Sequence, residues 1–246
     1  MLGYIEYGDG PKRPELRQRQ LAGGTFAALS LGQSAHSASP LARGRAVKGA
    51  RLMREAGVRA AVFPVDFPYT ALFIRQGILP VETLPLRRAL AAPLVRRRLE
   101  DSGLDPAQAV VALSGDRPLR ELTEAAKALA LCYRYVLLSV RGGEEFARDL
   151  RREYGISLLL KPSVDQLDRA DALVLFAPRE DLAGQNPIFY TLYPGGEAGR
   201  GRLPLHLPQA LAAQLAPNCG FEQMAAALYG QGALSLEDLL AGALAP

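Results

Sequence analysis

A short loop with one glycine and two charged side chains, Gly115-Asp116-Arg117, separates an apolar run from a helical pattern. A glycine in such a turn lets the backbone approach a phosphate group closely, and free N–H groups at the start of the next helix can hold that anion. Arg141 ends the following apolar run, where a guanidinium group would suit a phosphate on a ribose. The candidate cofactor-binding residues are therefore Gly115, Asp116, Arg117 and Arg141.

The same loop also carries features that oppose a phosphate site. If Gly115 begins a G-x-G-x-x-G pattern, Arg117 and Arg120 occupy the other two glycine positions, and their side chains would crowd the backbone. We expect Asp116 to satisfy free N–H groups of the following helix, which would place an internal anion where a phosphate would lie. If a dinucleotide does bind, Arg141 favours NADP over NAD, because an NAD site usually has an acidic residue there.

A second set of polar residues follows two earlier apolar runs, 25–31 and 58–64. Hydroxyls, N–H groups and an arginine in such loops could hold a phosphate or a carboxylate, and Asp66 with His36 could serve in acid–base chemistry. The alternatives are a serine-rich loop with Ser39 as a helix N-cap and a capping role for Asp66. The candidate substrate- or anion-binding residues are Ser34, His36, Ser37, Arg43, Asp66 and Tyr69.

Composition narrows the class of protein. The 246 residues are 49% hydrophobic and 22% charged, the balance of a globular protein that can bury a core. No apolar run approaches the ~20 residues that span a bilayer, and the N-terminus lacks the pattern of a signal peptide. We therefore expect a cytoplasmic protein without a membrane partner.

Cysteine and histidine are scarce. Cys132 and Cys219 lie far apart without CxxC spacing or a nearby histidine, and the chain has only two histidines. This pattern argues against a metal site or a disulfide framework and agrees with a reducing compartment.

Charge gives a weak indication of partners. The formal net charge of +4 arises from short arginine clusters that are dispersed along the chain. Such clusters are usually solvated helix faces, and no aromatic residues are interleaved with them as a base-stacking surface requires. The sequence disfavours nucleic acid as a partner, allows a small anionic ligand, and leaves the oligomeric state open.

Short apolar runs alternate with helical patterns, which indicates βαβ units and a mostly parallel sheet covered by helices. The helix predicted at 40–57 has Pro in its first turn and Gly past its end, and a second is predicted between Gly142 and Gly155. Near the C-terminus, Ser235 is predicted to cap a short helix with Asp238 three residues later. The predicted strands are 25–31, 58–64, 109–114, 135–140, 156–160 and 172–177.

The order of elements from 109 to 178 resembles the nucleotide-binding half of Rossmann-type dehydrogenases. The preceding "LVRRRLEDSGLD" is similar to the segment that leads into this half in shikimate dehydrogenase-like proteins. The resemblance implies an α/β fold with a Rossmann-like C-terminal half, followed by short C-terminal helices. We expect an N-terminal α/β domain at 1–104, a Rossmann-like domain at 105–202, and helices at 203–246 that pack on the N-terminal half.

Two functions remain open at this level. One is a non-catalytic sensor or assembly element whose phosphate loop is closed. The other is an NADP-dependent reductase or dehydrogenase acting on a small polar substrate. The missing glycines, the scarcity of histidine and the lack of a Lys–Asp or Tyr–Lys pair favour the first slightly.

Overall fold

The computed structural model describes residues 1–6, 13–32, 39–196 and 207–241. The chain forms two compact units, the first made of Met1–Leu86 with Pro204–Pro246 and the second of Arg87–Leu203. Each unit contains a five-stranded sheet. The chain therefore has an α/β fold with helix-covered, mostly parallel sheets, as the sequence predicts.

The strands and helices are numbered along the chain. The strands are β1 (Leu2–Glu6), β2 (Glu15–Leu21), β3 (Gly24–Ser30), β4 (Ala60–Val62), β5 (Leu79–Pro80), β6 (Val110–Gly115), β7 (Tyr135–Val140), β8 (Leu159–Leu160), β9 (Ala172–Leu175) and β10 (Ile188–Thr191). The helices are α1 (Pro40–Glu55), α2 (Thr70–Arg75), α3 (Leu84–Ala89), α4 (Ala91–Asp101), α5 (Arg120–Ala130), α6 (Gly143–Tyr154), α7 (Val164–Asp168), α8 (Gln209–Ala212), α9 (Phe221–Gly230) and α10 (Leu236–Ala241).

The first sheet has the strand order β2-β3-β1-β4-β5, with β2 antiparallel to β3 and the other pairs parallel. The helix α1 contributes Ala46 and Met53 to a buried core with Ile5 and Leu29 of the sheet. The C-terminal segment also contacts this sheet, since the Tyr4 hydroxyl accepts a hydrogen bond from the N–H of Ala216. Residues on both sides of the sheet are thus shielded from water.

The second sheet is wholly parallel, with the strand order β10-β9-β6-β7-β8. The first strand of the unit, β6, lies at its centre, the next two strands extend to one side and the last two to the other. This is the order 3-2-1-4-5 of nucleotide-binding α/β halves. Ligands of such sheets bind outside the carboxyl ends of the strands, where the order reverses, which in this unit is between β6 and β9.

Local sequence signals account for the main helices. Ser39 caps α1 by accepting the N–H of Ala42 with its hydroxyl, and Pro40 occupies the first turn. Gly142 and Gly155 flank α6 in the left-handed conformation, with φ of 76° and 69°. The apolar face of α5, which includes Leu122, Ala126 and Leu129, is buried. The predicted capping pair is present, since Ser235 and Asp238 exchange hydrogen bonds between side chain and backbone N–H.

Among the described residues, none of the helices combines the length and the apolar character needed to cross a bilayer.

Candidate functional site

The strongest concentration of polar contacts in the second unit surrounds Arg179, in the loop after β9. Its Nη1 donates hydrogen bonds to the Oγ atoms of Ser114 and Ser139, each at 3.1 Å. Its Nε and Nη2 donate to the two carboxylate oxygens of Asp181 at 2.7 and 2.6 Å. We refer to these four residues as the Arg179 cluster.

The parallel sheet places the two serines side by side. Ser114 on β6 is in register with Ser139 on β7, so both hydroxyls project from the same face near the carboxyl ends of the strands. The N–H of Phe176 donates to the carbonyl oxygen of Ser114 at 2.7 Å, which fixes the start of the loop that carries Arg179. The loop after β9 is thereby tied across the ends of β6 and β7.

The cluster is buried at one end and open at the other. Ser114 is 1% exposed, whereas the side chains of Arg179 and Asp181 are 25% and 49% exposed. The hydrogen bonds to Asp181 raise the pKa of Arg179, and the same contact lowers the pKa of the Asp181 carboxyl. Both groups are therefore held in their charged forms.

The serine hydroxyls retain unused donors. Ser114 and Ser139 each accept an N–H from Arg179, and neither donates its own O–H to an acceptor among the residues that the structure describes. A hydroxyl group can donate one hydrogen bond in addition to those it accepts. Two O–H groups are thus left beside a guanidinium group.

Gly115 ends β6, and its lack of a side chain serves packing inside the protein. A Cβ atom at this position would lie 2.8 Å from Cδ1 of Leu122 on α5. The Leu122 side chain therefore lies directly against the glycine, so the close approach that Gly115 allows is made by a helix of the same unit.

The predicted cap by Asp116 is wrong. The helix α5 begins at Arg120 with Leu119 as its N-cap, later than the sequence pattern suggested. Asp116 therefore lies three positions before the N-cap, is exposed, and accepts no hydrogen bond from the described residues. A capping side chain must sit at the first turn to reach the free N–H groups.

The two predicted arginines lie at the same edge of the sheet. Arg117 follows β6 and Arg141 follows β7, and both are exposed. Because Gly115 pairs with Val140, the two loops leave adjacent strand ends. The structure thus brings Gly115, Arg117 and Arg141 to the carboxyl edge that also carries the Arg179 cluster.

The candidates in the first unit have different environments. Ser34, His36 and Ser37 lie outside the described residues, and Arg43 is exposed on the first turn of α1. Tyr69 is 8% exposed and packs edge-to-face on Phe67, with ring centroids 5.8 Å apart. The structure therefore places Tyr69 in the aromatic part of the core.

Asp66 follows β4 in the left-handed conformation, with φ of 58°. The capping role considered for it is wrong, because Tyr69 is the N-cap of α2 and Asp66 accepts no hydrogen bond from the described part of the chain. Its carboxylate is exposed.

Other acidic residues have structural roles. Asp171 accepts the N–H of Val110 at 2.8 Å, and Asp168 accepts the N–H of Ala183 at 2.9 Å. Within the described ranges, no group of three or more His, Cys, Asp or Glu side chains is arranged to hold a metal ion.

Sequence reasoning missed all four members of the Arg179 cluster. A signal was present, because one predicted strand ends with Ser114 and the next has Ser139 as its next-to-last residue, and the "RED" of residues 179–181 follows a third strand. Serine at the end of a buried parallel strand is a polar group that needs a partner. An arginine in a neighbouring loop can supply that partner.

Comparisons with known proteins identify no family. No family model matches the chain, and no curated protein matches its sequence. Solved structures similar to the chain include a protein described as an aspartate carbamoyltransferase from Trypanosoma cruzi, at 14% identity and a TM-score of 0.29, covering 94% of this chain and 80% of that one. They also include a shikimate 5-dehydrogenase-like protein, at 12% identity and a TM-score of 0.31, covering 98% and 96%. These superpositions are loose, so the fold assignment depends on the strand order of each sheet.

Proposed function

We propose that this chain is a non-catalytic sensor or assembly element whose second sheet keeps a nucleotide-binding topology without a dinucleotide in the loop at 115–118. The observation that carries this proposal is the Arg179–Asp181 ion pair, which is hydrogen-bonded to Ser114 and Ser139 across the strand ends. The protein's own charges thus lie at the edge where a dinucleotide would bind.

Steric crowding supports the proposal. A pyrophosphate needs close access to the backbone after the first strand of the sheet. At Gly115 the adjacent space is filled by Leu122, and side chains stand at both remaining glycine positions, Arg117 and Arg120. The space that a glycine leaves open for a phosphate is thus reduced by Leu122 on one side and by the two arginine side chains.

Charge repulsion also supports the proposal that no dinucleotide binds this loop. The carboxylates of Asp116 and Asp181 both belong to loops at this edge. Two like charges ~4 Å apart repel by about 1 kcal/mol in water and by several times more in a partly buried crevice. Each carboxylate therefore opposes a phosphate that approaches the loop.

Calorimetric titration tests the proposal. We expect neither NADP nor NAD to bind the wild-type protein at micromolar concentration, and we expect Arg141→Asp to leave that result unchanged. A thermal-shift series is a second check, because a ligand at a hundred times its Kd would add about 2.7 kcal/mol of stability. A melting temperature that does not respond to either cofactor supports the proposal.

An NADP-dependent reductase or dehydrogenase acting on a small polar substrate is the second candidate. It is supported by the exposed Arg117 and Arg141 at adjacent strand ends and by the absence of a side-chain hydrogen bond from the N-cap residue of α5. Micromolar binding of NADP that Arg141→Asp abolishes would favour this candidate over the first.

We also propose a cytoplasmic location and a small anionic ligand as the partner. Cys132 and Cys219 are both free thiols, which suits a reducing compartment. The anionic ligand is suggested by the arginines at the carboxyl edge of the second sheet.

A further inference from the structure

We infer that Asp181 is an internal competitor for a phosphate-binding site at the guanidinium group of Arg179, which Ser114 and Ser139 hold in place. This inference rests on the proposed function, in which the edge of the second sheet serves a sensor, and it names the class of ligand. The ligand carries a phosphate group, either as free phosphate or as a phosphomonoester.

The contact between Arg179 and Asp181 has the geometry of ligand recognition. Nε and Nη2 form one edge of the guanidinium group, and each donates to a different carboxylate oxygen. Two oxygens of a phosphate can accept the same pair of N–H groups, because bidentate binding to arginine is common to both anions. Asp181 therefore occupies the edge of Arg179 that a phosphate would use.

The arginine remains positioned when Asp181 leaves. Nη1 of Arg179 is held separately by Ser114 and Ser139, and Ser114 is almost fully buried on a central strand. Exchange of one anion for another thus needs no reorganisation of the guanidinium group.

The charge of the ligand favours phosphate over a carboxylate. Ser114 and Ser139 accept hydrogen bonds from Nη1, which is not part of the guanidinium edge that contacts Asp181. The serines therefore hold the arginine in place and leave the Nε and Nη2 donors to the anion. A phosphate group carries about twice the charge of a carboxylate near neutral pH and therefore interacts more strongly with that edge.

Asp181 is placed so that it can be displaced. Its side chain is about half exposed, and it belongs to the segment 176–187, which contains neither helix nor strand. An exposed ion pair contributes little to stability, so a phosphate with its larger charge can replace the carboxylate at modest cost. Binding would release Asp181 from the edge of the sheet, which is a change that a partner could detect.

Titration of inorganic phosphate into the full chain tests this inference, with ribose 5-phosphate as a parallel arm. We expect Asp181→Asn to bind phosphate about fivefold more tightly than the wild type, because the competing carboxylate is gone. Tightening with both probes indicates recognition of the phosphate group itself, and tightening with the ester alone indicates an organic ligand. Either pattern supports the inference.

The controls separate competition from general charge effects. Asp165→Asn removes another exposed carboxylate, which pairs with Arg169 at 3.1 Å, and we expect it to bind phosphate like the wild type. Adding Arg179→Lys to Asp181→Asn keeps the positive charge but removes the bidentate edge, and we expect the gain in affinity to be lost. Asp181→Ser serves as a second variant if Asp181→Asn does not fold.

The inference would be overturned if neither Asp181 variant bound inorganic phosphate or ribose 5-phosphate more tightly than the wild type, or if a gain survived Arg179→Lys. An equal gain with Asp165→Asn would also overturn it. Titrating NADP into the same samples distinguishes this failure from failure of the proposed function. Micromolar NADP binding by the wild type contradicts the proposed function. If NADP does not bind and the Asp181 variants bind neither phosphate probe more tightly, the inference alone is contradicted.

Discussion

The carboxyl edges of the two sheets use their polar residues differently. In the second sheet, hydroxyls on two adjacent strands bind Arg179, so polar groups from three strand ends form one connected cluster. In the first sheet, the loop after β4 buries Tyr69 among aromatic rings and leaves Asp66 exposed. In the second sheet, the register of adjacent strands thus brings polar groups together, whereas the described loop after β4 contributes an aromatic ring to the core.

The largest loss of stability is expected in the aromatic core next to the carboxyl edge of the first sheet. Phe73 is fully buried, with ring centroids 5.5 Å from Phe63 and 5.4 Å from Phe67. We expect Phe73→Ala to lower the free energy of unfolding by about 3–5 kcal/mol, measured by urea denaturation. The neighbouring Ile74 is 44% exposed, and Ile74→Ala should cost about 0.5 kcal/mol or less. If the two variants lost similar amounts of unfolding free energy, the Phe73 side chain would not lie in a packed core.

The second effect concerns the packing of α5 on β6. We expect Gly115→Ala to lower the free energy of unfolding by about 1–3 kcal/mol, because its Cβ would meet the Leu122 side chain. Gly44→Ala is the matched control on α1, where no atom lies within 4 Å of an added Cβ, and it should instead stabilise the protein by about 0.5–1 kcal/mol. If Gly115→Ala also stabilises the protein, Leu122 does not pack against Gly115.

Much of the second sheet could be predicted from the sequence. Residues 135–140 form β7 with the predicted bounds, because a strand covered by helices on both faces is a continuous apolar run. Strands that do not form a continuous apolar run were missed. The strand β2, with sequence ELRQRQL, lies at the edge of its sheet and exposes several of its polar side chains, so no apolar run marks it. Strands β1, β5 and β10 were missed as well, and β4 is shorter than the predicted 58–64.

The candidate site was predicted only in part. Gly115 is the last residue of β6, and Arg117 and Arg141 lie just after the ends of β6 and β7. Their position at the carboxyl edge could therefore be predicted from the strand pattern. The partners of Arg179 are 65 and 40 residues away in the chain, and only the sheet register brings them together. Asp116 does not cap the helix because the helical pattern follows Arg117 directly in the sequence, whereas α5 starts at Arg120.

The smallest expected effect is the pH dependence of the Arg179–Asp181 pair. Since the pKa of Asp181 is lowered in the folded protein, the pair adds stability at pH values above the carboxyl's ordinary pKa of ~3.9 and loses it as the pH falls through the lowered value. Wild type and Asp181→Asn should therefore differ in melting temperature at pH 7 and converge in strong acid. A difference that grows on acidification would contradict the pairing.

Calorimetric titration of NADP into the wild-type protein, at low ionic strength to favour any phosphate contact, shows whether the carboxyl edge of the second sheet is closed to a dinucleotide. We expect no heat of binding at micromolar NADP, because Leu122 packs against Gly115 and the Arg179–Asp181 pair lies at the same edge of the sheet. Arg141→Asp should give the same null result. Micromolar binding of NADP by the wild type, abolished by Arg141→Asp, would contradict the claim that this edge is closed.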